Sequence, residues 1–225
     1  MTGVRRGGGS RDVERGQGLG EFTLVVPLFL LVLLGVLEFG LAFSHNLSLE
    51  YATREGARTG AALADGTGSD SSCVAANGTS RPLAASDVDP LIISAVQRVL
   101  ESSGSLLHLS TTTTIVIFKA DVNGGDTLGY DNVWTYNKGG GPAVPCEANP
   151  PNLDFKLSGT AGWAVSTRLH GDTPDHLGVS ISYDYTLTTP LGAVMALASH
   201  KAGVAWSSIR MTDSSVMALE PTNPN

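Results

Sequence analysis

Charge is scarce in this chain. Charged side chains make up 16% of its 225 residues and aromatics only 6%. Lysine and arginine number 14 against 21 aspartates and glutamates, for a net charge of −7. A general nucleic-acid binder normally carries a basic patch, so that class is set aside. Only two cysteines occur, Cys73 and Cys146, and neither sits in a C-x-x-C. The chain also lacks a G-x-S-x-G nucleophile elbow, the strand-to-helix turn that presents a catalytic serine. What remains fits one membrane segment and one modest domain, since domains mostly run to about 100–150 residues.

Long hydrophobic runs are not lacking. Phe22 to Leu37 carries no charge, and beyond Glu38 the apolar character continues to Phe43. That stretch is apolar all round, which points to lipid rather than to a core helix with one apolar face. A membrane-spanning helix needs about 20 such residues. A cleavable secretory signal has a shorter core and a small-residue cut site soon after it. Here the run is longer and no A-x-A follows closely, so a retained span is expected. Arg5, Arg6, Arg11 and Arg15 precede it against Asp12 and Glu14. Residues 1–16 therefore carry +2, which leaves −9 for the rest. By the positive-inside rule the N-terminus is cytoplasmic and everything from about His45 onward extracytoplasmic. Arg54 and Arg58 oppose this weakly, being interleaved with Glu50 and Glu55. In that compartment Cys73 and Cys146 are expected to pair, closing a loop of about 70 residues worth ~3–4 kcal/mol. Two unpaired thiols are the alternative in a reducing compartment.

Three glycines, Gly16, Gly18 and Gly20, alternate just before the apolar run. A dinucleotide-binding G-x-G-x-x-G loop follows a strand and opens an amphipathic helix. Here the spacing is G-x-G-x-G, after a polar Arg/Gly tail and before a span, so that reading fails. A cut site fits better. Gly16 is followed by four uncharged residues, then Glu21, then Phe22, then the apolar run. Glycine before a scissile bond lets the backbone extend and a protease approach closely. This is the processing pattern of type IV pilin-like proteins, with cleavage between Gly16 and Gln17. A carboxylate at the edge of lipid needs a partner, and a newly made α-amino group at Gln17 would supply one to Glu21. Glu38 lies about 25 Å further along the helix at 1.5 Å per residue. It either reaches headgroup water or serves as a second assembly carboxylate.

The stretches "GQGLGEFTLVVPLFLLVLLGVLEFGLAF" and "NLSLEYATREGARTGAAL" together resemble the TadE-like proteins of tight-adherence (Flp, type IVb) pilus systems. The shared pattern is G-x-x-x-x-E-F, an early proline, a leucine-rich span, G-x-x-E-F-G and A-x-R-E-G-A-R. It is carried by Gly16, Glu21, Phe22, Pro27, Gly35, Glu38, Phe39, Gly40, Ala52, Arg54, Glu55, Gly56, Ala57 and Arg58. The resemblance is specific over about residues 16–63. Two later stretches, "VSISYDYTLTTPL" and "SSIRMTDSSVMALEP", look like the family's late strands. The resemblance implies a pilin-like fold and a minor pilin (pseudopilin) that helps assemble a pilus. Its implied partners are the lipid bilayer, a prepilin peptidase, other pilin-like subunits and the assembly platform, with no nucleic acid. The implied location is the cytoplasmic (inner) membrane, single-pass. No cofactor is implied and no enzymatic activity.

Beyond the membrane the helix is expected to continue. Glu50–Arg54 at i,i+4 adds ~0.3 kcal/mol. Ala52, Gly56 and Gly60 make a stripe of small residues that lets another helix or sheet approach closely. A helix from about Leu19 to Leu63, kinked at Pro27 and ending at Asp65–Gly66, would run about 68 Å. A span followed by a short unrelated helix is the alternative. The organisation expected is therefore a cytoplasmic leader over 1–16, a transmembrane helix over 17–43 and its continuation over 44–65. An extracytoplasmic domain over 66–225 completes it.

That domain is expected to open with a turn-rich loop over 66–81. A helix follows in "SDVDPLIISAVQRVLESSG", capped by Ser86 or Asp87, with Pro90 in its first turn and Leu91, Ile92, Ala95 and Val99 as its apolar face. "LHLSTTTTIVIFKAD" predicts a strand, with "NVWTY" as its partner. Gly139 to Asn152 is a loop holding Cys146, and "LSGTAGWAVSTRLHG" a helix carrying Trp163 and Val165. "LGVSISYDYTLTT" alternates Val179, Ile181, Tyr183, Tyr185 and Leu187 with polar residues, the mark of a half-buried strand. "PLGAVMALAS" is a short apolar helix or a bilayer-touching loop, and a long last strand follows. Two helices and then mostly strands imply an α+β class with an antiparallel sheet.

One cluster invites chemistry: "HGDTPDH", with His170, Asp172, Asp175 and His176. Histidines and carboxylates bind metals. Gly171 and Pro174 make the segment a connecting turn instead, and no catalytic, cofactor or metal residues are expected. Three functions stay open: a pilin-like subunit, a single-pass membrane-anchored extracytoplasmic binding module outside any pilus, and a tethered hydrolase using His170 and His176.

Overall fold

A computed structural model describes residues 10–66, 72–74, 78–102, 107–190, 192 and 208–220. The chain divides into two compact units. One comprises Met1–Leu41 with Thr186–Ser207, the other Ala42–Tyr185 with Ser208–Asn225.

A single helix, α1, runs from Ser10 to Leu63 and contains Pro27. It starts earlier than its apolar pattern, reaching back into the basic leader. At its C-terminus Ala64 and Gly66 both take positive φ, at 48° and 80°. The Gly66 N–H donates to Leu63 O at 2.8 Å, which closes the last turn. Left-handed backbone is open to glycine without a Cβ penalty, so Gly66 ends the helix sharply.

Two short strands follow where a loop is expected, β1 (Ser72–Val74) and β2 (Ser80–Pro82), paired antiparallel with Cys73 opposite Arg81. Helix α2 spans Ala85–Leu100. Its cap differs from expectation: the N-cap is Ala84, with no side-chain cap bond. Asp87 is the third helical residue, and its carboxylate accepts the Ala84 N–H at 2.9 Å. Pro90 is then interior, beyond the first turn. Its buried face is Val88, Ile92, Ile93, Ala95, Val96 and Leu100, while Leu91 and Val99 are half-exposed.

The main sheet has five strands in the order β5-β4-β3-β6-β7. They are β3 (Thr112–Ala120), β4 (Asp126–Tyr136), β5 (Phe155–Leu157), β6 (His176–Thr186) and β7 (Ser208–Ala218). β3 pairs antiparallel with both β4 and β6, and β4 with β5. In β7, Arg210 meets Asp184 and Thr212 meets Ser182 of β6. As one residue number rises the other falls, so this pair is antiparallel too. The class is α+β, with a long apolar helix, a second helix and antiparallel sheets.

Alternation builds the core. Ile115 lies opposite Ile181 and Ile117 opposite Val179. Their side chains share one face of the sheet with Leu177, Tyr183 and Tyr185, all buried. Gly178 interrupts the pattern because the Phe118 ring lies across it, 2.2 Å from where a Cβ would stand. The helix expected around Trp163 is a single 3-10 turn at Val165–Thr167. Partners distant in sequence shape that segment instead. The Trp163 N–H donates to Asn132 Oδ1 at 2.9 Å. Asn132 in turn donates to Asp89 Oδ2 at 2.7 Å, and Arg168 Nη2 donates to Asp89 Oδ1 at 2.6 Å. Cys73 and Cys146 form a disulfide across 73 positions. The segment "PLGAVMALAS" lies mostly outside the described residues.

Candidate membrane anchor and processing segment

The apolar half of α1 buries almost nothing in this chain. An 18-residue window within Gly18–Leu63 has a mean hydropathy of 2.6 and is 6% buried. Leu24, Val25, Leu28, Phe29, Leu30, Leu31, Val32 and Leu33 are all exposed. These positions point in every direction around a helix of 3.6 residues per turn. Water-facing leucine in such density costs about 25 cal/mol per Å². The helix is long and apolar enough to cross a bilayer, which would remove that cost.

Gly16 and Gln17, the expected scissile pair, lie in the early turns of α1. A glycine in a helix interior costs about 1 kcal/mol relative to alanine. Gly16, Gly18 and Gly20 therefore loosen the start of α1. Nothing lies within 4 Å of the point where a Cβ would stand at Gly18 or Gly20. Glu21 is exposed at the start of the apolar run.

Glu38, the other expected assembly carboxylate, has a different setting. It is 4% exposed although it lies inside the apolar run. One carboxylate oxygen accepts the Thr188 N–H at 2.9 Å and the other the Thr189 N–H, also at 2.9 Å. A charged side chain within an apolar run is costly unless it is paired. Two backbone donors offset much of that, because hydrogen bonds to a charged group are the strong ones.

The small-residue stripe is also used within the chain. Ala52 is fully buried. A Cβ on Gly56 would stand 2.6 Å from Val96 of α2 and 3.2 Å from Val179 of β6. One on Gly60 would stand 2.7 Å from Leu177 of β6 and 3.0 Å from Ile92 of α2. The stripe lets α1 lie against its own α2 and β6.

The "HGDTPDH" cluster comes apart. Asp175 is buried, takes Lys119 at 2.7 Å and accepts the Leu169 N–H at 2.9 Å. His170 faces Asp65 at 3.0 Å, while Asp172 and His176 are exposed. Among the described residues no group of three or more His, Cys, Asp or Glu is placed to hold a metal.

Sequence reasoning missed His45. It is buried, with Nδ1 3.1 Å from the Tyr183 hydroxyl and its ring edge-on to Tyr185 at 5.0 Å between centroids. A polar residue next to the span looks exposed until β6 is placed against it. The Thr188 and Thr189 amides were missed for another reason: backbone donors leave no mark in a sequence.

Elsewhere the electrostatics are structural. Hydrogen bonds from Arg81 hold the Asp87 carboxyl below the usual carboxylate range, and the Ala84 N–H adds to this. Arg210 does the same for Asp184 across β6 and β7.

The model of the TadE-like protein family matches residues 16–58. This stretch of the chain is TadE-like, and it covers the three glycines, the apolar half of α1 and the A-x-R-E-G-A-R block. No curated protein and no solved structure matches the chain.

Proposed function

We propose that the chain is a minor pilin-like (pseudopilin) subunit that helps assemble a tight-adherence type pilus, acting by subunit packing rather than catalysis. One observation carries the reading. The TadE-like match over residues 16–58 falls on the same helix whose apolar half is exposed all round. A helix of that kind suits storage in a bilayer before assembly and contact with other apolar helices after it.

In this reading the N-terminus is cytoplasmic and the domain extracytoplasmic, in the cytoplasmic (inner) membrane. The arginines before the span favour that orientation, and a disulfide-bonded domain suits an oxidising compartment. A prepilin peptidase cuts between Gly16 and Gln17, where three glycines loosen the helix. Glu21 then accepts a charge-assisted bond from the new α-amino group of its own or a neighbouring subunit. The other partners are pilin-like subunits and the assembly platform.

N-terminal sequencing of the membrane-extracted protein tests the cut. A start at Gln17 is the expected result, and a start at Met1 or Thr2 overturns it. Glu21→Gln should strongly reduce piliation in a complemented deletion strain while the protein stays in the membrane. Normal piliation in that strain would remove the role given to Glu21. Normal piliation in the deletion strain itself would favour the membrane-anchored binding module.

A further inference from the structure

We infer that Glu38 is an intrachain latch: it holds the stretch of chain that leaves β6 against the apolar helix, rather than binding another subunit. Three observations meet here. Glu38 lies in the apolar run, five residues before its end at Phe43. It is nonetheless 4% exposed. Its two oxygens are each matched to one backbone N–H, those of Thr188 and Thr189, at 2.9 Å.

The chemistry favours a carboxylate at this position. Two successive amides pointing the same way need two acceptors side by side, and a carboxylate offers them in one plane. Neither amide belongs to a strand, because β6 ends at Thr186. The next residue, Pro190, has no N–H to offer and cannot extend the ladder. The buried Glu38 carboxylate needs donors, and the two amides supply one to each oxygen.

The two carboxylates of the TadE-like stretch thereby divide their work. Glu38 is committed within its own unit, and it stays so whether or not the chain ever enters a pilus.

Amide hydrogen exchange on the purified full chain in detergent micelles tests the latch, with threonine amides read by selective nitrogen labelling. In the unaltered protein Thr188 and Thr189 should be protected although they lie outside the strands. Glu38→Ala should speed exchange at both by at least about tenfold, the scale of a lost charge-assisted bond. Protection at Thr114, in β3, should be unchanged and reports that the domain remains folded. Glu38→Gln keeps one carbonyl acceptor, so one of the two amides should stay protected and the other open. Fast exchange at both amides in the unaltered protein overturns the latch. So does unchanged protection in Glu38→Ala or in Glu38→Gln. Because the readout is local to one chain, it can fail while piliation and cleavage succeed, and the reverse.

Discussion

The two halves of α1 share one backbone and obey different rules. Before Leu41 large apolar residues face outward on every side; after it, one side is packed and the other charged. The glycines show the contrast best. At Gly35 and Gly40 nothing lies within 4 Å of an added Cβ, whereas at Gly56 and Gly60 side chains stand within 3 Å. The same residue type is open space in one half and close contact in the other. The acids differ as well. Glu50 pairs along the helix with Arg54 in water, whereas Glu38 is buried on two amides. A helix alone therefore does not define an interaction face; its surroundings do. Among the described residues the apolar half stays exposed, while Gly56 and Gly60 are packed inside the domain.

Four experiments would break or sharpen that contrast. The largest effect should come from the disulfide. Replacing Cys73 and Cys146 by serine opens a closure across 73 positions, and the loop-entropy model sets the loss at about 4 kcal/mol. Chemical denaturation of the domain should show it, with the helical signal of the apolar half retained. Next comes Gly56→Val, which drives side-chain atoms into Val96 and Val179. Overpacking of this kind costs about 3 kcal/mol, and the same measurement reads it. A smaller effect is expected from Asp87→Asn, which loses the Arg81 bonds and weakens the reach to Ala84, for about 1 kcal/mol of α2 capping. The pH dependence has a definite sign. Asp87 is held below its ordinary range, so its stabilisation is complete above the unfolded carboxylate pKa of about 4 and is lost as pH falls below that. The asparagine variant should lack this share of acid sensitivity. The smallest effect on folding should be Gly35→Ala, in open space within a helix, neutral or stabilising by up to about 1 kcal/mol. A loss of piliation with an unchanged fold would then mark Gly35 as a contact between chains. A large loss of fold would erase the difference between the halves.

Much of the architecture was legible in residue order. Sixteen uncharged residues made the span plain, and the alternation of Val179, Ile181, Tyr183 and Tyr185 made β6 plain. The strand from Thr112 to Ala120 was announced by its β-branched run. Local rules misled where distant partners take over. Trp163 looked helical, but Asn132 and Arg168 organise its segment. Ser86 looked like a cap, but Asp87 reaches back from the third helical position. The turn-rich stretch near Cys73 gained strand structure by pairing with residues 80–82.

The candidate site divides along the same line. Hydropathy, the Gly16–Glu21 spacing and the TadE-like pattern are properties of consecutive residues, so the sequence by itself determined the candidate span and the family resemblance. Periodicity likewise determined the α+β class, because it records which faces must leave water. Three assignments came only with the tertiary structure: Glu38 turned to Thr188 and Thr189, Gly56 and Gly60 turned to α2 and β6, and His45 turned to Tyr183 and Tyr185. Each joins residues that lie far apart in the chain. A sequence records which groups need a partner, and only the folded chain decides which partner lies within 3 Å.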